Sequence, residues 1–187
     1  IVGKVSGQKF EDFLRAKIFK PLGMADTEFH VQAGKESRLA ACYSATPKGT
    51  MDLQDDPTKS PYLEAPSLVS GGGGLVSTAS DYLKFCRMLI NGGTFEGTQI
   101  LSPKTIQLMT TNHLPDGKDL PALSRSLFSE ATYNGIGFGL GFSVTMDPAK
   151  TMIPGTVGEY SWGGAATTSF WIDPKEKLVP VYMMQEV

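Results

Sequence analysis

Trp162, Gly163 and Gly164 stand immediately before an apolar stretch, Ala165 to Ile172. Two adjacent glycines at the head of a strand remove the side chains that would keep a ligand away from the main chain. An edge strand of this kind binds an extended substrate through its own N–H and C=O groups. A backbone N–H beside the glycine pair is also the type of donor that stabilises an oxyanion. The combination points to acyl chemistry. A turn is expected at Asp173 to Lys177, followed by a second strand, Leu178 to Met184.

Other candidate motifs carry less. Ser70 to Ser77 reads SGGGGLVS, but a phosphate-binding P-loop needs a Lys after its last glycine, and none follows Gly74. Gly135 to Gly141 is G-x-G-x-G-x-G, without the spacing or the following helix of a dinucleotide fingerprint. No G-x-S-x-G elbow occurs, which argues against an α/β-hydrolase triad. Ser6-Gly-Gln-Lys9 matches S-x-x-K, a pattern that works only when Ser and Lys sit one turn apart on a helix. Gly7 breaks that helix, so the match is set aside. Tyr43-Ser-Ala45 imitates a Tyr-x-Asn motif but lacks the Asn.

The 187 residues suffice for one domain with a substantial core. A formal net charge of -2 gives no reason to expect nucleic acid or an anionic membrane as a partner. No apolar run approaches the roughly 20 residues of a spanning helix. The two cysteines, Cys42 and Cys86, read as buried thiols. His30 and His113 lie far apart, no His/Cys cluster forms, and neither a metal site nor a cofactor is expected. Ile1 to Ser6 reads as the last turn of an amphipathic helix, so the chain is expected to be a piece of something longer, and its compartment, cytoplasmic or periplasmic, stays open.

Phe10, Phe13, Leu14 and Ile18 predict a helix over Gln8 to Phe19, stopped by Pro21. Glu28 to Val31 and Arg38 to Tyr43 are short strand candidates. Ala45 to Ser67 has no period and reads as a long surface loop. Thr78-Ala-Ser-Asp81 resembles a capping box with Asp at its last position, opening a helix that Gly92-Gly93 close. Ser102-Pro103 caps a helix to about Thr111, and His113 to Asn134 is a second long loop. Gly135 to Phe142 alternates strictly, placing every glycine on one strand face for close approach of another element. The remaining strands are Phe142 to Met146, Gly158 to Ser161, Ala165 to Ile172 and Leu178 to Met184. Helices and loops over 1–134, then an antiparallel meander over 135–187, give an α+β class.

The ordered set of segments resembles the serine β-lactamase and penicillin-binding-protein superfamily, in its class C-like branch, nearest the family VIII carboxylesterases. The resemblance rests on Val5-Ser-Gly-Gln8, Ile18-Phe-Lys-Pro-Leu-Gly-Met24 with Thr27, and Ser70-Gly-Gly-Gly-Gly-Leu-Val-Ser-Thr78 with Asp81. Gly137-Phe-Gly-Leu-Gly-Phe142, Trp162-Gly-Gly-Ala165 and Trp171-Ile-Asp-Pro174 complete it. It implies a β-lactamase/transpeptidase-like fold, an antiparallel sheet flanked by helices, with this chain as the C-terminal portion of one such domain.

The resemblance also implies that an S-x-x-K motif and a Tyr motif lie upstream and are absent here. Trp162, Gly163 and Gly164 would be the third catalytic motif, and Ala165 would give one of two oxyanion N–H groups. Trp162 stands where β-lactamases carry a lysine, which anchors the carboxylate of a penicillin-type substrate. An indole offers apolar surface and one N–H, which favours neutral esters. The loops Ala45 to Ser67 and His113 to Asn134 are expected to wall an acyl pocket, with Tyr133 and Tyr160 as lining residues. The expected activity is a carboxylesterase using an acyl-enzyme. Alternatives within the fold are a β-lactamase, a D-amino-acid peptidase or an acyl transferase, and a non-catalytic peptide-binding module is a further one. The expected partners are a small ester or lactam and the missing N-terminal part, with the chain inactive and unstable on its own.

Overall fold

The computed structural model describes residues 1–123 and 133–187. Two compact units emerge: Ile1–Phe85 with Gly164–Thr168 and Tyr182–Val187, and Cys86–Gly163 with Ser169–Val181.

The first unit opens on α1, Val2–Ser6, closed by Gly7 in the left-handed conformation at φ 70°. Helix α2, Phe10–Leu14, runs without interruption into a π-helical turn, Arg15–Phe19. Together they occupy the predicted Gln8 to Phe19 span. Gly7 does separate Ser6 from Lys9, and Ser6 Oγ accepts the Gln8 N–H at 3.2 Å. The S-x-x-K lookalike therefore has no shared helix on which to work. Phe19, Leu22, Met24 and Phe29 are buried and form the core of this unit.

Asp81 organises the segments that follow. Thr78 Oγ1 accepts the Asp81 N–H at 3.1 Å, which is half of a capping box at the start of helix α3, Ala79–Ile90. The Asp81 carboxylate does not fold back to complete the box. It accepts the Asp26 N–H at 2.6 Å, Thr27 Oγ1 at 3.2 Å and Lys84 Nζ at 2.9 Å, and is almost fully buried. Thr27 Oγ1 also meets Ser77 Oγ at 2.8 Å, and Glu28 and Val76 exchange both backbone hydrogen bonds. Two sequence segments nearly fifty residues apart are thereby joined. The predicted strand at Glu28 to Val31 shrinks to this single bridge. Glu28 also receives Arg15 through two hydrogen bonds, at 2.6 and 3.0 Å.

Strand β1, Cys42–Ala45, overlaps the strand candidate Arg38 to Tyr43 at its first two residues and pairs antiparallel with β2, Met51–Asp55, which lies inside the predicted loop Ala45 to Ser67. Four of the five β2 residues are exposed, so no face is buried enough to impose an alternation. Arg38 precedes β1 in a short 3-10 turn instead of extending it. Cys42 is half-buried, unlike Cys86, which is wholly enclosed.

In the second unit, β3, Thr94–Phe95, pairs with β4, Thr98–Gln99, after Gly92 and Gly93 end the preceding helix with φ 66° and 94°. Ser102 Oγ accepts the Thr105 N–H at 3.1 Å and caps α4, Pro103–Met109. Five strands then form an antiparallel sheet in chain order: β5, Ile136–Phe138; β6, Ser143–Thr145; β7, Tyr160–Gly163; β8, Thr168–Ile172; β9, Val181–Met183. This is the expected meander. The turn before β9 is built on buried Asp173, whose Oδ1 accepts the N–H groups of Lys175 and Glu176.

The alternating glycines serve close approach. A Cβ at Gly137 would lie 2.5 Å from Asn112 Cγ, and one at Gly139 would overlap the Met109 carbonyl oxygen. Asn112 Oδ1 in turn accepts the N–H groups of Phe138 and Leu114. The end of α4 and the segment after it thus lie directly on the glycine face of β5.

Gly139→Ala in the whole protein forces apart two backbone segments that cannot yield locally. The expected cost is about 2–3 kcal/mol in chemical denaturation, and an unchanged midpoint would show the contact to be slack. Asp26 gives an acid-side test. Arg38, at 2.8 Å, and then Lys35, at 2.6 Å, hold its carboxyl well below the usual carboxylate range. A depressed folded-state pKa contributes stability above the unfolded value near 3.9, and that contribution is lost as pH falls through the folded value. The stability difference between wild type and Asp26→Asn is therefore expected to be flat from about pH 7 to 5 and to shrink below about pH 4.

Candidate functional site

Trp162 and Gly163 close strand β7 and do not head a strand, as the sequence had suggested. Gly164 begins a turn, Gly164 to Thr168, that leads into β8. Strand β7 pairs with β6 at Tyr160 and Ser161, and with β8 from Tyr160 to Gly163. It lies inside the sheet, not at its edge. The Trp162 ring meets Phe138 of β5 edge-on, with centroids 5.0 Å apart and planes at 76°. The indole is therefore held by packing, and it is half-buried.

The turn is closed by two hydrogen bonds. Gly164 N–H donates to Thr168 O at 2.8 Å, and Thr167 N–H donates to Gly164 O at 3.1 Å. A Cβ on Gly164 would lie 2.5 Å from Thr168 Oγ1, so a larger residue there would have to displace the Thr168 hydroxyl. Between the two bonds, the N–H groups of Ala165 and Ala166 find no acceptor among the described residues. Ala165 is exposed. A backbone donor left open on a turn closed by its own bonds is preorganised for a ligand oxygen, because it needs no rearrangement to donate.

The last residues of the chain hold this turn from the other side. Glu186 N–H donates to Ala166 O at 3.2 Å, and Thr167 Oγ1 donates to Glu186 O at 2.7 Å. The same segment pairs with β1: Tyr43 N–H donates to Gln185 O at 3.0 Å and Val187 N–H to Tyr43 O at 2.8 Å. Sequence reasoning missed this support. Its bonds are almost all main chain to main chain, and such bonds leave no residue-type signature.

Tyr160 requires a correction. It was expected to line a pocket, yet it is only 2% exposed and packs on Phe142, with ring centroids 5.3 Å apart. Its position on β7 points it into the core of the second unit, and burial raises its phenol above the usual range. The hydroxyl has no hydrogen-bond partner among the described residues. Tyr133 is half-buried and precedes β5, where its carbonyl accepts the Ile136 N–H at 3.0 Å. The long loop expected at His113 to Asn134 lies in part, 124–132, outside the described residues.

The first unit carries an apolar cleft of about 190 Å³, lined by Phe29, Pro61, Tyr62, Pro66, Leu68, Ser70, Gly73 and Gly74. Its walls come partly from the loop that the sequence assigned to an acyl pocket. Among the described residues, no group of three or more His, Cys, Asp or Glu side chains gathers to hold a metal ion. None of the described helices is long and apolar enough to cross a membrane. Cys86 is enclosed, and burial pushes its thiol up to about 12, so it is not poised as a nucleophile.

A family model described as Beta-lactamase matches residues 1–187. An uncharacterised protein of Mycobacterium tuberculosis is 36% identical over 188 residues, covering 99% of this chain and 45% of that protein. Lovastatin esterase of Penicillium rubens is 25% identical over 213 residues, covering 100% of this chain and 48% of that enzyme. Among solved structures, EstCE1, a hydrolase with promiscuous acyltransferase activity, superimposes with a TM-score of 0.80 at 25% identity, covering 100% of this chain and 48% of that one. The chain thus spans about half the length of the relatives it matches.

Proposed function

Since the chain belongs to the beta-lactamase family, we propose that it forms the oxyanion side of a serine acyl hydrolase, a carboxylesterase acting on short-chain neutral esters. The observation that carries this reading is the N–H of exposed Ala165, which has no acceptor among the described residues on the turn that follows Trp162-Gly-Gly164. The family resemblance assigns the other parts, a Ser and Lys in S-x-x-K and a Tyr general base or acid, to an upstream segment of the same protein or to a separate chain.

The proposed chemistry runs through two tetrahedral intermediates. The serine hydroxyl loses its proton to the Lys/Tyr pair and its oxygen bonds the ester carbonyl carbon. The carbonyl π electrons move onto oxygen, and the resulting oxyanion receives the Ala165 N–H and the N–H of the serine itself. Collapse expels the alcohol, protonated by the general acid, and leaves an acyl-serine. Water then adds by the same route and releases the carboxylic acid. Trp162, braced by Phe138, supplies an apolar and neutral surface where a lysine would attract a carboxylate. The cleft beside Tyr62 and Leu68 suits an uncharged acyl group.

Labelling of the whole protein with a fluorophosphonate is expected to mark one serine within an S-x-x-K segment. Its kcat/KM for p-nitrophenyl butyrate is expected to exceed that for benzylpenicillin by at least roughly tenfold. Faster turnover of the penicillin would refute the ester preference. Absence of both label and turnover would leave a non-catalytic binding module. The 187-residue chain alone is expected to hydrolyse neither substrate, because removal of the nucleophile leaves only the weak catalysis of binding and an oxyanion donor.

A further inference from the structure

Thr167 adopts a backbone conformation that its side chain disfavours. Its φ is 60°, in the left-handed region that a β-branched residue rarely enters. Such a conformation persists only where surrounding contacts over-determine it. Here the contacts are identifiable. The Thr167 hydroxyl donates to Glu186 O at 2.7 Å, its N–H donates to Gly164 O at 3.1 Å, and the preceding carbonyl, Ala166 O, accepts the Glu186 N–H at 3.2 Å. Glu186 is itself fixed between Gln185 and Val187, which are hydrogen-bonded to Tyr43 of β1.

The two central residues of the turn, Ala165 and Ala166, take no partner for their N–H groups inside the hairpin. A left-handed residue after them redirects the peptide that follows and returns Thr168 O to the Gly164 N–H. An extended residue at 167 would carry Thr168 away, break that closing bond and loosen the turn on which Ala165 sits. The hydroxyl of Thr167 therefore secures the geometry of a donor that it does not itself touch.

We propose that Thr167 is a positioning residue for the Ala165 oxyanion donor, acting through Glu186 and the segment Gln185 to Val187, which ties the β1–β2 hairpin to the same turn. This inference rests on the acyl-hydrolase reading of the site. It predicts that the exposed hairpin, through Tyr43, belongs to the support of the catalytic turn and not only to the substrate-facing surface.

The test compares Thr167→Val, Thr167→Gly and Thr167→Ser in the whole protein, with p-nitrophenyl butyrate as substrate and amide exchange read for the peptide spanning 164–168. Valine keeps the shape and loses the hydroxyl. Glycine tolerates positive φ and also loses the hydroxyl, so it reports even if the valine variant folds poorly. Both are expected to lower kcat roughly tenfold with KM within about twofold, and to speed exchange in the 164–168 peptide. Serine is expected to restore kcat and exchange to near wild type. Wild-type kcat in the glycine variant, or a serine variant as impaired as the glycine one, overturns the proposal. If the wild type shows neither ester turnover nor a fluorophosphonate label, the acyl-hydrolase reading has failed. The exchange data then decide on Thr167 alone: faster exchange in the glycine variant but not the serine variant supports positioning, and equal exchange overturns it.

Discussion

The constraint on which the site depends is the closure of one turn, Gly164 to Thr168. Two backbone hydrogen bonds shut it, and the glycine at 164 leaves room for the Thr168 hydroxyl where a Cβ would lie. Backbone donors in a regular sheet are consumed by the ladder. Only where the chain leaves the ladder under tight control can an N–H be both fixed in direction and free to bind. The W-G-G motif achieves this by ending β7 one residue before the turn. It supplies an open donor from the turn and an indole braced on β5.

The two units are held by different physics. The first has a modest apolar core and leans on buried polar groups: Asp81 on Asp26, Thr27 and Lys84, and Glu28 on Arg15 and Val76. Each buried carboxylate there is satisfied by several donors, the condition under which burying a charge does not unfold a protein. The second unit relies more on apolar packing, with Asp173 as its buried carboxylate. Phe142 stands between Tyr160 and Phe170, and glycines let the segment after α4 lie flat on β5. Its one oddity is the Tyr160 hydroxyl, enclosed with no partner among the described residues. A buried hydroxyl in that state is costly, and the structure offers no physical account of it.

Much of the fold was legible because its signals are local. The helical stripe of Phe10 to Ile18 and the Ser102-Pro103 cap became the elements they announced, while of the alternating run Gly135 to Phe142 only Ile136–Phe138 is strand. The β1–β2 hairpin was not legible, because its second strand is exposed on nearly every residue and shows no period. Asp81 was read as a cap residue and proved to be more. Its carboxylate reaches residues 55 positions away, a distance that no local pattern encodes. Tyr160 was misplaced for a related reason. Being adjacent in sequence to a motif says nothing about which face of a strand a side chain takes.

What the sequence determined by itself was the family, because residue type and order survive without any coordinates. The proposed chemistry rests on Trp162, Gly163, Gly164 and Ala165 in that order. The tertiary structure alone decided how that motif is held: at the end of an inner strand, on a turn whose far side is tied to Glu186 and through it to β1. The ties to β1 are main-chain bonds between segments more than a hundred residues apart, such as Tyr43 and Gln185. Every residue carries the same main-chain groups, so nothing in the string of side chains marks which of them will meet.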